Sequence, residues 1–215
     1  MTKRRVFLFR HGETVWNTEG RYQGMKDSPL TELGRQQAMN HAKLMKQYDI
    51  YHVYASPLGR VRETLSYIQQ RHPISVKFEN CLVELGAGKW EGREYDEVKR
   101  IYGEQLKHRK ENLATFKPPG GESRSDLLAR LRTTRRRILD REENSNNHYA
   151  IFSHGAVTRV LLMSLLGISI SEDPPFSTGN DVVYLIEVSD AIVGVSHFVG
   201  GKGPSEGLYY PGLAN

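Results

Sequence analysis

A single cysteine, Cys81, stands in the 215 residues of this chain. One thiol excludes an internal disulfide framework and a cysteine-rich zinc site. Long apolar runs are missing as well. The longest, VLLMSLLGI at 160–168, is less than half of the roughly 20 residues that a membrane helix needs. The start, MTKRRVFLFRHGE, is basic and briefly apolar, but no small-residue cleavage site follows it. It reads as a first strand and not as a signal peptide. These absences set the expectation of a cytoplasmic protein with no membrane partner. Metal patterns are lacking too: there is no His-Glu-x-x-His pair, no aspartate cluster and no glycine-rich Lys-Ser/Thr phosphate loop. His41, His52, His72, His108, His148 and His197 are scattered without ligand spacing, so no metal and no cofactor are expected. Without repeats, low-complexity tracts or a linker, residues 1–215 read as one domain.

What is present describes a globular protein, with 38% hydrophobic and 26% charged residues. A formal charge of +5 suits either nucleic acid or small phosphorylated ligands. The densest basic stretch is RLRTTRRRILDR at 130–141, where Leu128, Leu131 and Ile138 recur at roughly helical spacing. Its arginines therefore read as a solvated helix face. No zinc-finger, RNA-recognition or helix-turn-helix signature accompanies them, and no nucleic-acid partner is expected.

Hydrophobic periodicity lays strands and helices in alternation. RVFLFR (5–10), HVYAS (52–56), VKF (76–78), HYAIFS (148–153), VVYLIEV (182–188) and AIVGVSHF (191–198) read as strands. A helix is expected from Thr31 to Tyr48, with Thr31 as cap and Leu33, Ala38, Ala42 and Met45 facing inward. Another starts at Ser56-Pro57, since serine caps and proline tolerates the first helical position. Further helices are expected over 95–109, 126–141 and 156–166, with a loop at 117–125. This order predicts an α/β fold: a three-layer sandwich with a mainly parallel, mixed central sheet flanked by helices. The glycine- and proline-rich tail 201–215 reads as irregular, although Tyr209 and Tyr210 suggest that it packs. No feature specifies an interface, so the oligomeric state stays open.

In open α/β sheets ligands bind beyond the carboxyl ends of the strands. Arg10 and His11 end the first strand, Arg60 falls in the first turn after the second, and His154 ends HYAIFS. Two imidazoles and two guanidiniums thus converge on one rim. Arginine forks suit phosphate oxygens, and fixed positive charge stabilises a transferring phosphoryl group without a metal. The helix opening at His154-Gly155 would aim backbone amides at the same place. Singly, each residue has a plainer reading, as a structural histidine, an Arg60–Glu63 helix pair or turn glycines at Gly12 and Gly155. Their convergence favours a phosphate site.

LFRHGETVWN (8–17) resembles the signature of the histidine phosphatase superfamily, also called phosphoglycerate mutase-like. RYQG (21–24), DSPLTELGRQQA (27–38), ASPLGRVRET (55–64), LVELGAGKWEG (82–92), PGGES (119–123) and FSHGA (152–156) continue the likeness in order. The resemblance implies that His11 becomes phosphorylated, that Arg10, Arg60 and His154 surround the phosphate, and that Glu84 donates the proton. It places Asn17, Gln23, Gly24 and Gly155 on the phosphate and substrate side. Glu91, Glu94 and Asp96 read instead as surface carboxylates. Cofactor-dependent mutases of the family carry a Glu-Arg-His-Tyr-Gly segment around the acid, whereas this chain has Glu84-Leu85-Gly86-Ala87-Gly88. It also has RYQG where those mutases show a Phe-Thr-Gly type of turn. Both departures resemble the phosphatase branch, acting on a small phosphorylated metabolite. A phosphoglycerate mutase is the alternative, and a non-catalytic scaffold or a nucleic-acid-binding protein would be readings of another class. Lys107, His108, Arg109 and Lys110 could reach a second anionic group but read as solvent-facing.

Overall fold

The apolar run near the amino terminus forms β1 (Arg4–Arg10) in the computed structural model, which describes residues 4–139, 148–189 and 192–212. The other strands are β2 (His52–Ala55), β3 (Ser75–Phe78), β4 (Tyr149–Ser153), β5 (Val182–Ser189), β6 (Ile192–Val199) and β7 (Lys202–Glu206). They form one seven-stranded sheet in the order β3-β2-β4-β1-β5-β6-β7. The β3-β2-β4-β1 block is parallel, while β5, β6 and β7 add by antiparallel pairing. The mixed sheet expected from the sequence is therefore present, with its antiparallel side one strand wider than the last two apolar runs suggested.

Alternation along β1 builds two cores. Val6 and Leu8 enter one cluster with Tyr149 and Ile151 of β4, α6 (Arg124–Arg130), α7 (Arg132–Leu139) and α8 (Gly155–Leu166). Phe7 and Phe9 enter the other with Ala150 and Phe152, against α2 (Glu32–Gln47) and α3 (Gly59–Gln69). Successive strand side chains point to opposite faces, so an unbroken apolar run is what a strand covered on both sides requires. Each large side chain so buried contributes about 1.5–3 kcal/mol. Helices on both faces give the three layers.

Helix α2 begins as expected, with the Thr31 hydroxyl accepting from the Gly34 amide. Ala38, Ala42 and Met45 are buried, but Leu33 is 54% exposed and does not face the core. The expected helix over 95–109 is two helices, α4 (Tyr95–Ile101) and α5 (Gly103–Glu111), broken where Tyr102 leaves helical geometry at φ −120° and ψ 28°. The helix expected from 126 starts earlier, at Arg124, because Ser123 and Asp126 form a capping box. It is interrupted at Leu131, its inner residues are Leu127, Leu131 and Ile138, and Leu128 is only half-buried. Its arginines are not simply a solvated face. Arg130 donates to the carbonyls of Cys81 and Glu84, Arg135 to that of Ser164, and Arg137 forks onto Glu79. Residues 140–141, 191 and 213–215 of these expectations lie outside the described residues.

The tail is not wholly irregular, since β7 lies within it and pairs with β6. Tyr209 and Tyr210 pack on the first core, and the Tyr209 carbonyl accepts from the Ser177 amide. A short helix, α1 (Val15–Thr18), follows β1. Among the described residues, no helix is long and apolar enough to cross a membrane.

Candidate active site

β1 and β4 are neighbours whose following chains part to opposite faces of the sheet, β1 leading to α2 and β4 to α8. A crevice opens at such a switch point, and His11 and His154 sit there just beyond the two strands. The ladder continues into them, with the His11 amide donating to the Ser153 carbonyl at 3.2 Å. Their ring centroids are 5.3 Å apart.

His11 is 2% exposed. Its Nδ1 lies 2.8 Å from the Gly12 carbonyl oxygen, which can only accept, so Nδ1 carries the ring proton. Nε2 is left with its lone pair, toward which Arg60 Nε donates at 3.2 Å. Burial, then the charges of Arg10 and Arg60, hold the His11 pKa well below the ordinary 6.5. The imidazole is therefore neutral near pH 7, as a nucleophile must be.

Arg60 is itself buried, and its other nitrogens are all engaged. Nη1 donates to the Lys26 carbonyl (2.7 Å) and to Asp27 (2.9 Å), and Nη2 donates to the Gly24 carbonyl (2.8 Å). The plainer alternative, an Arg60–Glu63 pair, does not form; Glu63 accepts from the Leu30 amide instead. Asp27 also takes the amides of Gly59 and Arg60, and so caps α3 from outside the helix. Ser56 does not serve as that cap, because the helix starts at Gly59 with Leu58 before it. Arg10 donates to the Thr178 carbonyl at 2.9 Å and keeps a buried Nε without a partner. Burial lowers the pKa of both arginines, and Glu84 pulls in the opposite direction.

A cavity of about 210 Å³ rises from this floor. Arg10, His11, Arg60, Asn17, Gln23, Gly24 and Glu84 line it; His154 and Gly155 do not, although Ala156 just after them does. Asn17 is fixed by a reciprocal capping box with Thr14. Gln23 donates to the Thr14 hydroxyl at 2.8 Å and keeps its buried Oε1 without a partner. Gly24 has φ +54°, and a Cβ there would come 2.2 Å from a Glu91 carboxylate oxygen. Glu91 is thus not a free surface carboxylate. It accepts from the amides of Met25 and Ala87 and ties the Gly24 turn to the loop after Glu84.

Glu84 lies at the cavity edge, its oxygens taking the amides of Leu85 (2.8 Å) and Ala156 (3.3 Å). The α8 amide expected to face an anion directly is therefore held by this carboxylate. His154 is fully buried, and burial, with Arg60, His11, Arg10 and Arg130, keeps its pKa well below 6.5. Of the four basic residues at 107–110, Arg109 alone lines the cavity, where its charge acts on the Tyr22 hydroxyl nearby. Trp90, Phe116, Tyr95, Leu113 and Leu85 complete the upper wall. Sequence reasoning assigns Asp27 no role and reads Glu91 as a surface carboxylate and Arg109 as solvent-facing, although Asp27 and Glu91 lie within blocks of the family likeness. Among the described residues, no group of three or more His, Cys, Asp or Glu is placed to hold a metal ion.

Comparison with known proteins agrees with this architecture. Residues 6–197 match the family model of the histidine phosphatase superfamily, branch 1. A probable phosphoglycerate mutase GpmB of Erwinia tasmaniensis is 37% identical over 163 residues, covering 76% of this chain and 75% of the relative. Among solved structures, Bacillus stearothermophilus YhfR superposes with a TM-score of 0.80 at 32% identity, over 93% of this chain and 97% of that one. A mycobacterial glucosyl-3-phosphoglycerate phosphatase complexed with VO3 gives 0.79 at 26% identity, over 93% and 100%.

Proposed function

The chain belongs to the histidine phosphatase superfamily, and on that premise we propose that it hydrolyses small phosphate monoesters through a phosphohistidine on His11. The carrying observation is the pinned tautomer: Nδ1–H on the Gly12 carbonyl leaves the Nε2 lone pair on the cavity floor beside Arg60. In the first step Nε2 bonds to phosphorus as the ester P–O bond breaks, and Glu84 gives its proton to the leaving alcohol oxygen. The resulting imidazolium keeps Nδ1–H on the Gly12 carbonyl, which favours the positive ring. Arg10, Arg60 and His154 spread the charge of the transferring group, with Asn17, Gln23 and Gly24 around it and Gly155 opening α8 behind. In the second step water attacks phosphorus, Glu84 takes the water proton, and the P–N pair returns to His11. Alcohol and inorganic phosphate leave, and no cofactor is used.

His11→Ala tests this. Both phosphate release and acid-labile labelling of the protein are expected to vanish while the fold persists. Unchanged turnover would refute the mechanism.

The relatives named as probable phosphoglycerate mutases carry a second reading. The Gly86-Ala87-Gly88 segment, with a Cβ at Gly88 only 2.2 Å from the Pro119 carbonyl oxygen, supports hydrolysis over it by departing from the mutase pattern. Assaying 3-phosphoglycerate with and without bisphosphoglycerate separates the two. Isomerisation far exceeding phosphate release would establish the mutase.

A further inference from the structure

His154 poses a proton question that His11 does not, because no carbonyl fixes its tautomer. Its Nε2 lies 2.7 Å from the Ser56 hydroxyl oxygen, and its Nδ1 is buried with no partner. Ser56 is fully buried too, and its amide donates to the Phe152 carbonyl at 2.9 Å, extending the β2–β4 ladder toward His154. The Ser56 oxygen has one other neighbour, the Leu58 amide at 3.3 Å, which donates to it. Among the described residues the hydroxyl hydrogen therefore has a single acceptor in reach, His154 Nε2.

We propose that Ser56 is a positioning residue that sets the proton of His154 on Nδ1, making this ring a hydrogen-bond donor to the transferring phosphoryl group. The proposal rests on the reading of His154 as part of the phosphate pocket. With the hydroxyl donating, the only orphan left is one buried N–H, and a phosphoryl oxygen satisfies it. The opposite arrangement is worse. If Nε2–H donated to Ser56, the hydroxyl hydrogen would be stranded in the core, and Nδ1 would present a lone pair to an anionic substrate. Burial leaves a neutral imidazole, so the choice of tautomer decides whether the ring attracts or repels the phosphate.

Long-range proton–nitrogen NMR of the full chain with labelled histidine reads the tautomer directly, the His154 signals being those lost in His154→Gln. The unmodified protein is expected to carry the His154 proton on Nδ1, and Ser56→Ala to shift it wholly or partly to Nε2. Phosphate release from 4-nitrophenyl phosphate should then fall about tenfold in kcat, with KM within about twofold, because the donor is misplaced and not deleted. Ser56→Thr keeps a hydroxyl and should recover both the tautomer and most of the turnover. A proton found on Nε2 in the unmodified protein overturns the proposal, as does Ser56→Ala with an unchanged tautomer or unchanged kcat. If Ser56→Ala does not fold, the spectrum of the unmodified protein decides alone. Loss of the hydrolysis reading is distinguishable, since it would appear as activity surviving His11→Ala, whatever the His154 tautomer.

Discussion

The floor of the cavity comes from residues at and just beyond the carboxyl ends of β1, β2 and β4, strands whose buried apolar side chains enter one core or the other. Its upper wall comes from residues around 84–124, where the supporting cluster is small: Ala87, Trp90 and Val98, with Tyr22, Tyr102, Leu106 and Phe116 against them. Helix α5, which carries Arg109, has no buried residue at all. On the floor, by contrast, Arg60 alone engages two carbonyls, a carboxylate and the His11 ring. Phosphoryl transfer needs donors fixed before the reaction starts, because their reorganisation would otherwise raise the barrier. Selecting the alcohol half of a substrate needs shape and a few polar groups, which a lightly supported wall supplies. The proposed division is chemistry below and selection above.

Arg60→Ala should break the floor most severely. We expect kcat to fall by about 10²–10³ through loss of one preorganised donor. Stability should drop by about 3 kcal/mol, since the Lys26 and Gly24 carbonyls and Asp27 lose their shared partner. Steady-state phosphate release and urea unfolding measure the two. Arg60→Lys should recover little, because an ammonium cannot reproduce the fork. Activity within tenfold of the unmodified protein would mean that the floor does not carry the chemistry.

Glu84 joins the two regions, and Glu84→Gln should cost about 10² in kcat on alkyl phosphates. On 4-nitrophenyl phosphate the first step needs little proton donation, so a burst of nitrophenol followed by slow turnover is expected. An equal loss in the burst and in steady turnover would assign Glu84 a role in binding instead of proton transfer.

The floor was legible in the sequence for a physical reason. Arg10 and His11 follow an apolar run that only a doubly covered strand tolerates, and His154 follows a second one. What joins them was not legible. Asp27 grips Arg60 across 33 positions, and Glu91 reaches back to Met25 across 66. Neither pair has a period or a spacing that betrays it. Ser56 read as a helix cap because serine before proline favours one, yet its hydroxyl is drawn to His154. In the wall, the run over 95–109 reads as one helix through Tyr102, although Gly103 weakens a helix there, and the chain breaks at that point. Arg109 was indistinguishable from its three basic neighbours until α5 was oriented.

Acid should injure the floor before the wall. His41, on α2, is buried at 5.0 Å from the Phe9 ring, and burial lowers its pKa from 6.5 to about 4. The unfolded chain takes up a proton there below 6.5, while the folded chain refuses it until about 4. The folded state is therefore undisturbed above 6.5 and loses stability as pH falls through that window, by at most about 3 kcal/mol from this group. His11 and His154 are shifted in the same direction and add to the slope, whereas His108 in the wall is exposed. Unfolding free energy measured from pH 7 to 4 should fall less steeply in His41→Leu. Parallel curves would remove His41 from this account.

Arg109 should give the smallest effect and the most specific one. Arg21 and Arg124, the other arginines of the wall, are committed to Glu19 with Glu94 and to Asp173. Arg109 instead lies near the Tyr22 hydroxyl with no carboxylate paired to it among the described residues, so its charge is available to a substrate that carries a second anionic group. The site is half-buried, and water and salt screen a charge there, which limits the gain to about 1 kcal/mol. Arg109→Gln should therefore raise KM for such an ester by roughly three- to tenfold, diminishing with added salt. It should leave kcat and the turnover of 4-nitrophenyl phosphate unchanged, because removing binding shared by ground and transition states moves KM alone. Should kcat fall as far as in Arg60→Ala, Arg109 would reach the reacting group, and the boundary between chemistry and selection would have to be drawn higher in the wall.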